Sequence, residues 1–330
     1  MTDGPVAEAA AVEAVVVDFH AGARLARCIE SLRSEGCRAV VVVDNSTSGA
    51  TRTALAGPQG APAEVDLIIE SDANRGFGAG VNAGVARTSA PFVLACNPDV
   101  ELRPGALACL LACLGSGVAV VAPALLDEAG RTRPGPRPLP TLRSSWLHAF
   151  VGVLAPGSTA ARRHRQRQAE QLASGQACWV PGACLLFRRE AFSAVGGFDE
   201  SYFLYLEEVD LCRRLGESGW RIAYEPAAVA VHSGGASTSR RPLRSVAAYH
   251  RSLWRYLRST SSGPERIALP LAAAAIGLRG VVAAAVSLLG PSRSVLSAPA
   301  TGDAEGTDEA RRPNAETNRR RKGGRATRVR

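Results

Sequence analysis

Residues 196–222, GGFDESYFLYLEEVDLCRRLGESGWRI, set five carboxylates (Asp199, Glu200, Glu207, Glu208 and Asp210) beside a group of aromatics. A carboxylate withdrawn from water holds its proton to higher pH and can serve as a general base near neutrality. A helix that starts near Glu207 and turns about 100° per residue puts Glu208, Leu211, Cys212 and Leu215 on one face. Asp210, Arg213 and Arg214 fall towards the other face, and Glu207 lies on the flank. The apolar face must pack inward. Glu208 is therefore expected to go in with it, and Asp210 to pair outward with Arg214 at i,i+4. A buried Glu bonded to backbone amides would account for the same pattern without any chemistry.

Other polar groups end apolar runs. Asn97-Pro98-Asp99 follows FVLAC, so Asp99 sits where a strand ends and offers an oxygen ligand to a hard divalent cation. Asp44 and Asn45 open DNSTSG, which suits either a base or ribose contact or plain turn chemistry. His232 closes an apolar run and is either a structural residue or a metal ligand. NRGFGAGVNAG, residues 74–84, is glycine-rich ahead of a helix and could admit a phosphate. Gly78, Gly80 and Ala83 also spell a dinucleotide fingerprint, which raises an NAD(P)-dependent oxidoreductase as the alternative of another class. Seven residues separate Glu70, the last of the preceding strand, from Gly78, and that fingerprint needs a tight strand-to-helix turn.

The elements that must position these groups alternate. β-branched runs at 13–19, 38–45, 65–70, 91–96, 117–123 and 227–231 read as strands. Helical spacing appears at 21–36, 78–88 and 104–115. The order predicts an α/β fold, a mostly parallel sheet flanked by helices, with ligands beyond the carboxyl ends of the strands. Residues 124–175 read as a surface excursion rich in Pro and Arg, after which the pattern resumes at 177–192. The segment 267–290 is long enough to span a bilayer, but Arg279 near its middle costs about 2.5–3.5 kcal/mol on insertion scales. A helix lying at the membrane interface and a hairpin packed on the domain are its other readings.

The net charge is +9, with one lysine, Lys322, among 39 basic residues. That bias follows codon composition and does not by itself indicate nucleic acid, which is not expected as a partner. Residues 131–167 hold eight Arg and no acid, and 311–330 hold nine Arg or Lys against one Glu, which suits an anionic partner or a solvated tail. None of the eight cysteines forms a CxxC pair, so buried free thiols are expected. The first ten residues lack a basic region and apolar core, so no secretory signal is expected.

Together VVVDFHAGARLARCIESL, VVVDNSTSG, NRGFGAGVNAG, CNPDV, the block from Val180 to Pro226 and VHSGGAST resemble the family 2 glycosyltransferases of the GT-A fold. The likeness is greatest to the rhamnosyltransferase-like members of bacterial cell-envelope synthesis. It implies a GT-A domain over 13–240, with a nucleotide-sugar half at 13–123 and an acceptor and base half at 124–240. A flexible N-terminus (1–12), a helical membrane-associating extension (241–295) and a disordered basic tail (296–330) complete the expected organisation. The resemblance implies inverting transfer from a nucleotide diphosphate-sugar, dTDP-L-rhamnose or a UDP-hexose or UDP-galactofuranose, to a glycan or lipid-diphosphate-linked acceptor. It places the enzyme in the cytoplasm, peripheral or anchored at the inner face of the plasma membrane. Asp44, Asn45, Asn74, Gly76, Asn82, Asn97 and Asp99 then fall in the donor pocket. Asp99 and His232 fall on Mg²⁺ or Mn²⁺. Gly182, Ala183, Asp199 and Glu207 fall in the acceptor or sugar pocket. Glu208 takes the base position, where Asp is usual, and Asp210 is second choice.

Overall fold

The computed structural model describes residues 12–55, 65–142, 144, 178–234 and 242–289. The expected flexible N-terminus up to residue 11, most of the excursion within 124–175 and the basic tail lie outside these. The described residues form ten strands: β1 (Val12–Asp18), β2 (Ala39–Asp44), β3 (Leu67–Glu70), β4 (Phe92–Cys96), β5 (Val100–Leu102), β6 (Val118–Leu126), β7 (Arg137–Pro138), β8 (Cys178–Trp179), β9 (Cys184–Arg188) and β10 (Arg221–His232). The helices are α1 (Ala23–Ser34), α2 (Ala50–Leu55), α3 (Phe77–Val85), α4 (Ala106–Cys113), α5 (Arg189–Ala194), α6 (Glu207–Glu217), α7 (Pro242–Thr260) and α8 (Leu269–Leu289). A 3₁₀ turn, Gly263–Ala268, leads into α8.

Eight strands form one sheet in the order β3-β2-β1-β4-β9-β6-β10-β5. β3, β2, β1 and β4 are parallel, and β6 and β10 are parallel to each other. β9 runs antiparallel to both β4 and β6, and β5 antiparallel to β10. The expected mostly parallel sheet is thus observed. The antiparallel insertion of β9 and the short β5 are additions to it. All seven residues of β1 are buried, as a central strand covered on both faces requires. One face packs on α1 and α4 through Leu25, Ile29, Leu107 and Leu110. The other packs on α3, α5 and α6 through Val81, Phe192, Leu211 and Leu215. A third cluster joins Tyr202, Leu206 and Val209 to Leu253, Tyr256 and Leu257 of α7 and Ala272 of α8.

β10 is longer than the run at 227–231 because the ladder shifts register between Glu225 and Val229. Pro226 has no N–H to give to a ladder, and a bulge absorbs it. The eight cysteines are free, and five of them (Cys28, Cys37, Cys96, Cys184 and Cys212) are buried. The glycines of α3 let it lie directly on β1. A Cβ on Gly84 would come within 2.3 Å of Val15 Cγ1, and one on Gly80 within 2.7 Å of Val17 Cγ1.

Val15 belongs to a fully buried strand and cannot swing aside. Gly84→Ala is therefore expected to lower folding stability by about 1–3 kcal/mol in urea titration. Gly115→Ala, whose new methyl meets nothing within 4 Å, should stay within about 0.5 kcal/mol of the parent.

Candidate active site

The strand ends place the polar groups. β4 stops at Cys96, and a turn through Asn97 and Asp99 reverses the chain into β5. β5 pairs with the end of β10 so that Val100 lies opposite His232. This pairing brings together residues far apart in sequence. His232 Nε2 lies 3.3 Å from Asp99 Oδ1 and 3.3 Å from Asn97 Nδ2. The Gly234 N–H donates to Asp99 Oδ2 at 2.8 Å. Burial pushes the Asp99 carboxyl up, but His232 and the Gly234 amide outweigh it and hold the group below its ordinary range.

This corner can be tested as a cation site. With its proton on Nδ1, His232 would have one lone pair at Nε2 to offer a cation beside the ionised Asp99, and Asn97 would then release its own contact with that nitrogen. Neighbouring ligands of a cation bound at about 2.1 Å lie about 3 Å apart, so the observed separation fits. Among the described residues no group of three or more His, Cys, Asp or Glu side chains could hold a metal. Two protein donors are present here, and a diphosphate would have to supply further oxygens.

β9 links this corner to the carboxylates of α6. The Asn97 N–H donates to Ala183 O at 2.9 Å, one residue before β9 begins. The adjacent Gly182 lies against Glu208, where a Cβ would meet the Glu208 Cβ, Cγ and Cδ at 3.2, 3.3 and 3.5 Å. Glu208 keeps part of its surface open to solvent, yet its burial among protein atoms pushes its carboxyl up to about 7. Glu207 beside it is buried and its Oε2 has no hydrogen-bond partner. Burial, and then the neighbouring Glu208, drives the Glu207 carboxyl well above its usual range.

Two expectations from helical phase are corrected here. Glu208 is not the most deeply buried acid of α6; Glu207 and Asp210 are. Asp210 does pair with Arg214, Nε to Oδ2 at 2.7 Å, but inside the protein and with Arg213 as well at 2.8 Å. The face judged outward is covered by the α7–α8 hairpin and by the loop holding Tyr202 and Leu206, so both sides of the first turn are enclosed. Asp210, the second choice for a base, is engaged on both sides. Both of its oxygens are taken by guanidinium groups, and Arg214 goes on to donate to Val195 O and Gly197 O at 2.6 and 2.7 Å.

The remaining expected residues hold loops in place. Asp44 is buried at the end of β2 and accepts the Ser46 N–H at 2.7 Å. Asn45 donates to Gly76 O at 3.1 Å and accepts from Ser71. Asn74 accepts the Gly76 N–H at 2.9 Å. Gly76 has φ 96°, and a Cβ there would fall 2.0 Å from Phe203 O. Asn82 donates to Phe198 O at 2.9 Å and accepts its N–H at 3.0 Å, stapling α3 to the Gly197 loop. Asp199 accepts from Ser201 and faces Arg255 of α7 at 3.4 Å, so it fastens a turn to that helix. The dinucleotide reading of Gly78 and Gly80 fails here, because these glycines admit Phe198 and Val17 to close contact.

Asp18 was missed. It ends β1 directly opposite Asp44, accepts from Thr51 Oγ1 at 2.6 Å and from the Ala21 N–H at 3.0 Å. Burial, with Asp44 adding to it, raises its carboxyl despite those bonds. VVVDF and VVVDN carry the same strand-end signal, so it was readable.

A model of the family described as "Glycosyltransferase like family 2" matches residues 9–258. An N-acetylglucosaminyl-diphospho-decaprenol L-rhamnosyltransferase from Mycobacterium tuberculosis is 33% identical over 266 residues, covering 76% of this chain and 84% of that one. A pre-mycofactocin glycosyltransferase of the same organism is 32% identical over 210 residues, covering 63% of this chain and 39% of its own length. The solved mannosyltransferase from Pyrobaculum calidifontis, in complex with GDP-Man and Mn²⁺, superposes with a TM-score of 0.51 at 16% identity, over 85% of this chain and 76% of that one. The last likeness bears on the fold, which is GT-A-like.

The clamp on Asp210 makes a stability prediction. Asp210→Ala strands two arginines and frees the Gly197 loop, and should lower stability by about 3 kcal/mol in thermal or urea melts. An unchanged midpoint would show that the fork carries no load.

Proposed function

Because the chain belongs to the family 2 glycosyltransferases and is an enzyme of that class, we propose that it transfers L-rhamnose from dTDP-L-rhamnose to a hydroxyl of an N-acetylglucosaminyl polyprenyl diphosphate. The donor and acceptor are those that the name of the Mycobacterium tuberculosis relative supports, over most of both chains. The observation that carries the site assignment is the contact from Asn97 through Ala183 and Gly182 to Glu208. It puts a carboxyl tuned near neutrality on the same sheet edge as the anionic Asp99 and His232.

In this reading Asp18 and Asp44 face the nucleotide, and Asn45, Asn74, Gly76 and Asn82 keep that wall in shape. Asn97, Asp99 and His232 meet the diphosphate. Asp99 and His232 would hold Mg²⁺ or Mn²⁺, which when bound neutralises charge on the departing diphosphate. Gly182, Ala183, Asp199 and Glu207 border the acceptor. Glu208 takes the proton of the acceptor hydroxyl while that oxygen attacks the anomeric carbon. The bond from that carbon to the diphosphate oxygen breaks on the opposite face, so configuration inverts. Burial raises the Glu207 carboxyl, which disfavours a second negative charge beside the nucleophile. A polyprenyl acceptor puts the reaction at the inner face of the plasma membrane.

Glu208→Gln is expected to leave donor affinity within about threefold and to lower kcat by about 10²–10⁴. The base works only when ionised, so kcat/KM of the parent should rise with pH through about 7 and level off above it. Normal turnover by the Gln variant, or a flat profile between pH 5 and about 8, would remove Glu208 from the role.

Hydrolysis and transfer with a panel of dTDP-rhamnose, UDP-hexoses and UDP-galactofuranose, each with Mg²⁺, Mn²⁺ or EDTA, identifies the donor. Preference for dTDP-rhamnose with loss of activity in EDTA is the expected result. Preference for a UDP-sugar would replace the donor and keep the chemistry.

A further inference from the structure

The last two helices distribute polarity in reverse. In α8 the exposed positions are Pro270, Leu271, Ala274, Gly277, Leu278, Val281, Val282 and Ala285 among the described side chains, none of them polar or charged, and they lie within an arc of about 140°. Leu271 and Leu278 are each 63% exposed and Val281 68%, and Ile267 just before them is 84% exposed. The charge of this helix is on its other side. Arg279 lies over the ring of Tyr249 of α7 at 5.3 Å. Ala272 and Ala283 are buried, and Gly280 lies against His250. Water would favour the opposite arrangement.

α7 supplies the matching charge. Arg244, Arg251, Arg255 and Arg258 are exposed and recur at spacings of seven, four and three, which is one face of a helix. No acid occurs in α7; Asp199 faces Arg255, and Asp210 and Glu217 of α6 lie near Tyr256 on the buried side of the helix. A second copy of the chain would bring the same arginines and repel them. An anionic surface with an apolar interior would take up the apolar stripe of α8 and attract the arginines of α7.

We propose that the α7–α8 hairpin is a one-leaflet anchor, with α8 lying in the plane of an anionic bilayer rather than crossing it. Crossing would strip α8 from α7, lose the Arg279–Tyr249 contact and place Arg279 in hydrocarbon, a penalty on the order of a hundredfold in partition. Lying flat keeps every inner contact. The anchor is also fixed to the base-bearing segment. Ser252 Oγ donates to Leu204 O at 2.9 Å, Arg255 lies over Tyr202 at 5.4 Å, and Tyr205 meets Tyr249 edge-on at 5.9 Å. Docking therefore fixes the height of Glu208 above the headgroups. This consequence rests on the lipid-linked acceptor proposed above, whereas the docking itself does not.

The full chain is tested by co-sedimentation with phosphatidylcholine vesicles with and without phosphatidylglycerol. The parent should bind the anionic vesicles. Leu271→Asp combined with Leu278→Asp should weaken binding at least tenfold, and Arg251→Gln with Arg258→Gln by about fivefold per arginine. Acceptor-independent donor hydrolysis and melting midpoints should stay at parental values in both double variants. Added tryptophans, Ile267→Trp near the start of the helix and Ala274→Trp at its middle, in separate chains, should be quenched at the same depth by lipids brominated at different acyl positions. A tryptophan at 274 that lies much deeper than one at 267 would mean a span and overturn the proposal. Undiminished vesicle binding by the Leu double variant would overturn it, as would a dimer in light scattering that this variant dissolves. Vesicle binding without turnover of any nucleotide sugar would support the anchor and sink the catalytic reading instead.

Discussion

Strand β9 runs against both of its neighbours, and that direction decides where a site can form. Six strands of the large sheet point the same way, so their carboxyl ends share one edge. An antiparallel strand entered from that edge contributes the residues before its first one to the same place. Gly182 and Ala183 thereby come beside Asn97, and the backbone bond between Asn97 and Ala183 closes the seam. A parallel β9 would carry Gly182 to the opposite edge, and Glu208 would have no contact with the Asp99 corner. β5 does the same service on the far side, because its antiparallel pairing with β10 delivers His232.

Within this frame the carboxylates differ through their partners more than through their depth. Asp99 is held anionic by a histidine and an amide. Asp210 is deeper than Glu208 but neutralised by a pair of arginines. Glu207 has burial and no partner for Oε2, so its carboxyl is driven well above its ordinary range. Glu208 lies between these extremes and titrates near neutrality. A single short helix thus carries a carboxylate clamped by two arginines, an acid raised by burial and a group poised to accept a proton.

The sheet was largely legible in the sequence because its central strands are continuous valine-rich runs, and a strand buried on both faces has little other way to be built. Asp44, Asp99 and His232 were legible for the same reason, as polar residues that end such runs. What local pattern could not supply was direction and cover. Nothing in CLLFR states that β9 runs antiparallel, and Pro226 hid the first half of β10. The phase of α6 was right for Leu211, Cys212 and Leu215, which face the sheet. It was wrong for Asp210, since a period of 3.6 residues locates one packed face and is silent about a second layer laid over the other. The asparagines at 45, 74 and 82 read as ligand groups by type. Their side chains are used to fasten one loop to the next.

Tyr205 and Leu206 both have positive φ, 68° and 65°, immediately before α6. Two consecutive side-chain-bearing residues in that region are strained, and strain persists only where surroundings insist on it. Here the insistence is one-sided. Downstream, Arg214 ties α6 to Val195 and Gly197, so helix and glycine loop behave as a single rigid part. Upstream, Leu204 and Tyr202 are tied to α7. The strained pair is the joint between these two parts, and with Val209 packed on α7 it sets the angle at which α6 presents Glu208 to the hairpin.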